Sequence, residues 1–344
     1  MGIYDGIGIA STASYSPKKV IRVDDIKEKY GFSSEFCEAV GYEQLNVSEN
    51  EYPTDMAIKA AKKAIEKANI DPEEIDLILY SYGAFPEYFF WAEYAKIQHE
   101  LGAKNAAVLR IDQACNAQII SLEYACAKIK LNPYIDNVLI VSADVFQEPI
   151  VDRWTTSKGV FFGDGASAAI IKRGIMSNRV VGISNLTDGE LNHLWKVPVG
   201  GTVKPLEIDH IRQKLFRIDI TRFALEYYLK NEEERKVVAS RIINTNSRTL
   251  NQLLSKIKKK KGQIDRMVTY NVGKYIVKNI CEAMEINIDR TSWDIGKIHG
   301  HMGPTDIFFN LDKMLNEGAI NSGELVILFS AGSGFSTSSA AIEF

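Results

Sequence analysis

Apolar positions recur in two rhythms along this chain. In TDMAIKAAKKAIEKANI (54–70), Met56, Ala60, Ala64 and Ala68 stand four apart in a segment rich in Ala and Lys. That spacing predicts an amphipathic helix, with Thr54 and Asp55 as candidate caps. The next stretch, DPEEIDLILYSYG (71–83), reads as a polar turn and an unbroken apolar strand. Similar runs occur in AAVLRID (106–112), NVLIVSAD (137–144) and ELVILFS (324–330). Strands this uniformly apolar are buried on both faces, which predicts an α/β protein with a parallel or mixed sheet between helices.

The pattern repeats at half-length. AIEKANIDPEEIDLILYSYG (64–83) and LLSKIKKKKGQIDRMVTYNVG (253–273) both run helix end, polar link, Ile-Asp, apolar strand, Tyr, Gly. FFGDGASAAII (161–171) and FSAGSGFSTSSAAIEF (329–344) both run Gly-rich turn, small residues, final strand. Between each pair lies a further junction, read in both halves as strand to helix. In the first half it is LRIDQACNAQIISLEYACAKI, with Cys115, and in the second DIGKIHGHMGPTDIFFNLDKML, with His301. The offset of roughly 170 to 190 residues is about half the chain, which suggests duplication and divergence. Two pseudo-symmetric halves, 1–185 and 186–344, are expected to bring two helix N-termini together, with Cys115 facing His301.

Composition narrows the function. A chain of 344 residues that is 46% hydrophobic fills one large core or two fused ones. A net charge of −3 argues against general nucleic-acid binding. The four cysteines (Cys37, Cys115, Cys126 and Cys281) lack CxxC spacing, so free thiols are expected rather than a disulfide framework or a zinc site. The first residues lack the order of a signal peptide, and no apolar run reaches the ~18 residues of a membrane span. A cytoplasmic protein without membrane or nucleic-acid partners is expected. No P-loop or metal cluster is visible, and no cofactor is expected.

Cys115 stands where a strand gives way to a helix. The helix dipole and free amides there favour a thiolate, the nucleophile that takes an acyl group from a thioester. The commoner fate of a free cysteine is burial in a core. The repeat argument, which sets a histidine opposite, favours catalysis.

Five stretches carry a family resemblance: SPKKVIRVDDI (16–26), TDMAIKAAKKAIEKANIDPEEIDLI (54–78), ELGAKNAAVLRIDQACNAQ (100–118), FFGDGASAA (161–169) and LVILFSAGSGFSTSSAAIEF (325–344). In these the chain resembles the thiolase superfamily, specifically beta-ketoacyl-acyl-carrier-protein synthase III. The resemblance implies the five-layered αβαβα thiolase fold built from two halves with mixed sheets. The family's site is Cys, His and Asn, and its cysteine carries over to Cys115. Its His motif, His-Gln-Ala-Asn, aligns with VTYNVGK (268–274), so Tyr270 takes the His position with Asn271 beside it. Its Gly-Asn-Thr-Ser junction aligns with GHMGPTD, so His301 stands where Asn is expected.

Two readings of this exchange stay open. Asn271 and His301 supply one hydrogen-bond donor each, or Asn271 orients and His301 is a general base. A base needs a partner on its other ring nitrogen, and Asp306, five residues on, is a candidate; the competing reading makes Asp306 a helix cap. Cys, His and Asp together resemble the polyketide-pathway acyltransferases of the family, which make esters. His299 is read as structural.

The resemblance also implies an oxyanion hole from the Cys115 N–H and the Ser333 N–H of the AGSG turn (331–334). In the aromatic stretch GAFPEYFFWAEY (83–94), Phe85 or Phe90 is expected to line the acyl pocket of a homodimer partner. Arg153 is a candidate contact for the pantetheine arm. The run KIKKKK (256–261) reads as a solvated helix end before it reads as a carrier dock. The expected function is acyl transfer from coenzyme A or acyl-carrier protein through Cys115 to a malonyl-type thioester, in fatty-acid or secondary-metabolite synthesis. The alternatives are an alcohol or amine acceptor, hydrolysis, or a non-catalytic partner subunit.

Overall fold

A computed structural model describes residues 4–344. Its strands are β1 (Ile7–Tyr15), β2 (Lys19–Arg22), β3 (Gln44–Val47), β4 (Leu77–Ser81), β5 (Ala107–Arg110), β6 (Asn137–Asp144), β7 (Gly165–Arg173), β8 (Arg179–Thr187), β9 (Arg266–Thr269), β10 (Leu325–Gly332) and β11 (Ser336–Glu343). Its helices are α1 (Val23–Tyr30), α2 (Ser34–Val40), α3 (Pro53–Ala68), α4 (Glu93–Leu101), α5 (Ala117–Leu131), α6 (Ile208–Arg212), α7 (Ile220–Tyr227), α8 (Glu232–Ile257), α9 (Lys274–Met284), α10 (Trp293–His299) and α11 (Asp306–Asn316).

Nine strands form one hydrogen-bonded array in the order β5-β4-β6-β7-β1-β8-β11-β10-β9, and β2 pairs with β3 apart from it. The array is two half-sheets joined at a seam where β1 and β8 share a single paired position, Gly8 with Arg179. Outward from the seam the halves mirror each other: β1 answers β8, β7 answers β11, β6 answers β10 and β4 answers β9. β4 pairs in parallel with β5, and in the second half this pairing shrinks to one parallel bridge between Met267 and Thr291. The duplication read from the sequence is therefore present in the strand order. The 185/186 position lies within β8.

Burial defines five layers. α5 and α11 lie between the half-sheets, where Ile119, Leu122 and Ile129 meet Ile307, Phe308 and Leu311 against strands of both halves. α3 and α4 cover the outer face of the first half-sheet, and α8 and α9 that of the second. α5 and α11 are buried around much of their circumference, polar residues such as Gln118, Asp306 and Asn310 included, because each faces a sheet on two sides. This is the αβαβα thiolase architecture.

Three local expectations are corrected. α3 begins at Pro53, with Tyr52 at its cap position; Asp55, one turn in, accepts from the Tyr52 amide at 3.2 Å, and Thr54 bonds Glu87 instead. The apolar run at 106–112 was expected to be buried, yet β5 is the outer edge strand and its residues are mostly exposed. Among the described residues its far side has no neighbouring strand, so continuous apolarity does not mean burial there. The residues before His301 form a helix, α10, rather than a strand.

Candidate active site

Cys115 occupies a tight 3-10 turn, Ala114–Asn116, that runs directly into α5. Ala114 has φ +46°, a left-handed conformation that costs an alanine energy and turns the chain sharply just before the cysteine. The Ser330 hydroxyl donates to the Cys115 carbonyl at 2.8 Å and ties this turn to β10. The thiol is thereby held, partly exposed, at the positive end of a helix.

His301 is fixed differently. α10 ends at Gly300, whose φ of +75° and close packing leave no space for a side chain: a Cβ would lie 2.3 Å from Leu45 Cδ2 and 3.0 Å from the Phe161 carbonyl. The His301 amide then donates to Phe161 O at 2.8 Å, and its carbonyl accepts from Gly163 N at 3.1 Å. The GDG stretch of the first half is thus used to hold the histidine of the second. Phe162 flanks the imidazole with ring centroids 5.5 Å apart.

These constraints place His301 Nε2 3.0 Å from Cys115 Sγ, across 186 residues of sequence. His301 Nδ1 lies 2.5 Å from Asp306 Oδ2. His301 is 4% exposed and Asp306 0%. Burial alone would push the imidazole to lose its proton. The negative charges of Cys115 and Asp306, with the hydrogen bonds to both, outweigh this and hold its pKa well above the ordinary histidine range. Cys115, His301 and Asp306 thus lie in one hydrogen-bonded line, an arrangement in which a thiol, an imidazole and a carboxylate can work as nucleophile, base and orienting group.

Asn271 lies one shell further out. Its backbone N–H donates to Asp306 Oδ2 at 2.8 Å, and its side-chain amide donates to Gly300 O at 2.7 Å and to Asp306 Oδ1 at 3.2 Å. The Met302 N–H completes the set on Asp306 Oδ1 at 2.8 Å. Asn271 therefore donates to the carboxylate through both its backbone and its side chain. Sequence reasoning missed Asn310, whose side-chain amide donates to Asn271 Oδ1 at 2.7 Å. The available signal was its place four residues after Asp306 on α11, hence on the same helix face. Tyr270 packs edge-on to His301, ring centroids 6.2 Å apart. Burial, then the charges of Cys115 and Asp306, raise its pKa and keep the phenol neutral.

The Gly-rich turn packs against Cys115 through Gly332. A Cβ on Gly332 would lie 3.2 Å from the Cys115 nitrogen and 3.1 Å from the Asn116 nitrogen, so glycine lets the Ser333 turn sit against the nucleophile's own amide. His299 is structural: Nδ1 lies 2.7 Å from Asn46 Oδ1, and the ring packs on Phe309. Burial, helped by the Lys313 charge, lowers its pKa to about 4 and keeps it neutral.

The substrate-contact candidates divide. Phe85 packs against Phe216 with centroids 5.7 Å apart, whereas Phe90 is fully exposed. Arg153 is largely buried, with its side chain 13% exposed. Its guanidinium is bound to Asp164 at 3.1 Å, to Phe162 O at 2.8 Å and to Phe146 O, because the buried Asp164 needs a cation beside it. In the basic run, Lys256 bonds Ile183 O, Lys259 pairs with Glu343 and Lys261 with Glu285, as a helix end would. Among the described residues, no group of three or more His, Cys, Asp or Glu could hold a metal ion, and no helix is long and apolar enough to cross a membrane.

A cysteine nucleophile with a buried His and Asp, on the seam of a duplicated αβαβα fold, defines an acyltransferase of the thiolase fold. Residues 109–189 match the 3-oxoacyl-[acyl-carrier-protein] synthase III family model and residues 254–344 its C-terminal model, together half of the chain. The chain belongs to the 3-oxoacyl-[acyl-carrier-protein] synthase III family. It is 27% identical over 338 residues to a beta-ketoacyl-[acyl-carrier-protein] synthase III of Sulfurovum sp. (strain NBC37-1), covering 97% of this chain and 94% of the relative. It is 28% identical over 340 residues to the synthase of the same name from Campylobacter jejuni (strain RM1221), covering 98% and 97%. Among solved structures, ChlB3, described as an acyltransferase, superimposes with a TM-score of 0.85 at 25% identity, covering 98% of this chain and 97% of that one.

Proposed function

We propose that this enzyme moves an acyl group from a thioester to Cys115, and from Cys115 to an oxygen or nitrogen acceptor activated by His301. The observation that carries this reading is the continuous line from Cys115 Sγ to His301 Nε2 at 3.0 Å and from His301 Nδ1 to Asp306 Oδ2 at 2.5 Å. In the first half-reaction the thiolate attacks the thioester carbonyl, the Cys115 and Ser333 amides receive the oxyanion, and the donor thiol leaves with the His301 proton. In the second, neutral His301 takes the proton of an incoming alcohol or amine as it attacks the acyl-Cys115 carbonyl, and the proton then goes to the departing thiolate. Asn271, bound to Asp306 and Gly300, leaves His301 without an amide partner facing the acceptor, which supports a base over a pair of carbonyl-polarising donors. The donors proposed are thioesters of coenzyme A or of an acyl-carrier protein. No further cofactor is needed, and the setting is cytoplasmic fatty-acid or polyketide-type assembly.

A second reading, decarboxylative condensation with a malonyl thioester, rests on the name of the beta-ketoacyl-[acyl-carrier-protein] synthase relatives. Acyl-CoA offered with malonyl-acyl-carrier protein on one side, and a panel of alcohols and amines on the other, separates the two. Ester or amide with no release of carbon dioxide is expected. A ketoacyl product with stoichiometric carbon dioxide would replace the reading.

We also propose a homodimer. β5 is an edge strand with Leu109 39% exposed, and the loop at 83–92 presents Phe89 at 74% and Phe90 at 102% exposure. An open edge and bare aromatics are covered most simply by a second copy of the chain. Sedimentation should give twice the monomer mass, and Phe89→Ser with Phe90→Ser should shift it towards monomer. A wild-type monomer at micromolar concentration would exclude this.

A further inference from the structure

We infer that Asp188 and Arg241, which lie outside the Cys115 site, are the positioning pair of its oxyanion turn; this rests on the acyl-transfer reading above. The turn is held from three sides. Gly332 closes on the Cys115 nitrogen, and the Ser336 hydroxyl donates to the Ser333 carbonyl at 3.1 Å. Behind the turn, Phe335 and Asp188 exchange both backbone hydrogen bonds: Asp188 N donates to Phe335 O at 2.8 Å, and Phe335 N donates to Asp188 O at 3.1 Å. Asp188 follows the last residue of β8 and is itself gripped by α8. Arg241 Nε donates to Asp188 Oδ2 at 2.9 Å and Arg241 Nη2 to Oδ1 at 2.8 Å, while Nη1 pairs with Glu190 at 2.8 Å.

The path from α8 to Cys115 is therefore short: directional bonds run from guanidinium to carboxylate and from the Asp188 backbone to the Phe335 backbone, and the turn then packs through Gly332 against the Cys115 amide. A bidentate guanidinium fixes both the distance and the plane of its carboxylate, which a single ammonium does not. The Arg241 hydrogen bond also holds the Asp188 carboxyl below its usual range, so the pair stays ionised through neutral pH. An oxyanion donor acts only within a narrow range of distance, and losing one outright costs about 10²–10³ in rate. Loosening its support should cost less than that, and should cost it in acylation alone.

Two reactions of Cys115 separate this role from a general structural one. Acylation by octanoyl-CoA passes through a tetrahedral oxyanion. Alkylation by iodoacetamide forms an S–C bond as iodide leaves and needs only the thiolate. In Arg241→Gln the acylation rate constant should fall about tenfold, while alkylation at Cys115, read by peptide mass, keeps the wild-type rate. Asp188→Asn should behave alike, and Arg241→Lys should recover part of the loss. If Arg241→Gln does not fold, the other two variants carry the comparison. Equal loss in both reactions, or no loss in either, would overturn the assignment. A wild-type enzyme that is alkylated but accepts no acyl-CoA would instead show that the acyl-transfer reading itself has failed.

Discussion

Cys115→Ala removes acyl transfer, with a loss in turnover on the order of 10⁵-fold. In the proposed reaction the thiol is both the attacking atom and the resting place of the acyl group, so no neighbouring group replaces it. Any residual rate comes from direct attack by the acceptor on a bound thioester beside a surviving Ser333 amide. The same change removes the negative charge that helps raise the His301 pKa, so His301 should titrate at lower pH in the variant. The fold should survive, because Cys115 is partly exposed and, among the described residues, its thiol bonds His301 alone. Intact-mass spectrometry after mixing with acyl-CoA should show an adduct on wild type and none on Cys115→Ala. An adduct of equal yield on the variant would move the nucleophile elsewhere.

Asp306→Asn is the second large effect, with a loss on the order of 10³–10⁴-fold. Asp306 accepts from His301 Nδ1, and so leaves the Nε2 lone pair directed at Cys115 or at the acceptor. An asparagine amide turned towards Nδ1 donates instead, which puts the proton on Nε2 and removes the base. The pH dependence follows with a definite sign. Asp306 raises the His301 pKa, so its neutral replacement lowers it. Transfer from acyl-Cys115 requires neutral His301, so the acidic limb of the rate profile moves to lower pH even as the plateau falls. The isosteric change is chosen because Asp306 also holds the amides of Asn271 and Met302, and a truncation would leave these buried donors unpaired at about 1–3 kcal/mol each. The amide that faces Nδ1 also faces the Asn271 N–H, so circular dichroism should match wild type while stability falls by about 1–3 kcal/mol; a limb that moves to higher pH would contradict the assignment.

Much of the framework was readable from the chain. The two repeats at half-length predicted the seam, and the seam predicted that Cys115 and His301 face each other. What the sequence could not supply was the orientation of short-range partners. Asp306 was legible as a candidate, but whether it capped α11 or oriented His301 depended on the compact 3-10 turn Gly303–Thr305 between them. Asn271 was visible by its position, yet its direction is set by Gly300, Asp306 and Asn310, three partners from two other segments. For Arg153 the chain showed a contact-region neighbourhood, but not the ion pair it makes with the buried Asp164. β5 misled for a related reason: its composition is that of a core strand, and exposure is decided by the absence of a next neighbour.

The central claim is that the acyl group passes through Cys115 and leaves it by way of His301. Rapid-quench mass spectrometry of the wild-type enzyme, mixed with acyl-CoA and then with an acceptor, tests it most directly. The acyl adduct on Cys115 should form before any product and decay at the rate at which product appears, with that decay slowed in Asp306→Asn. Product formed while the Cys115 adduct is absent, or while it persists unchanged, would contradict the account.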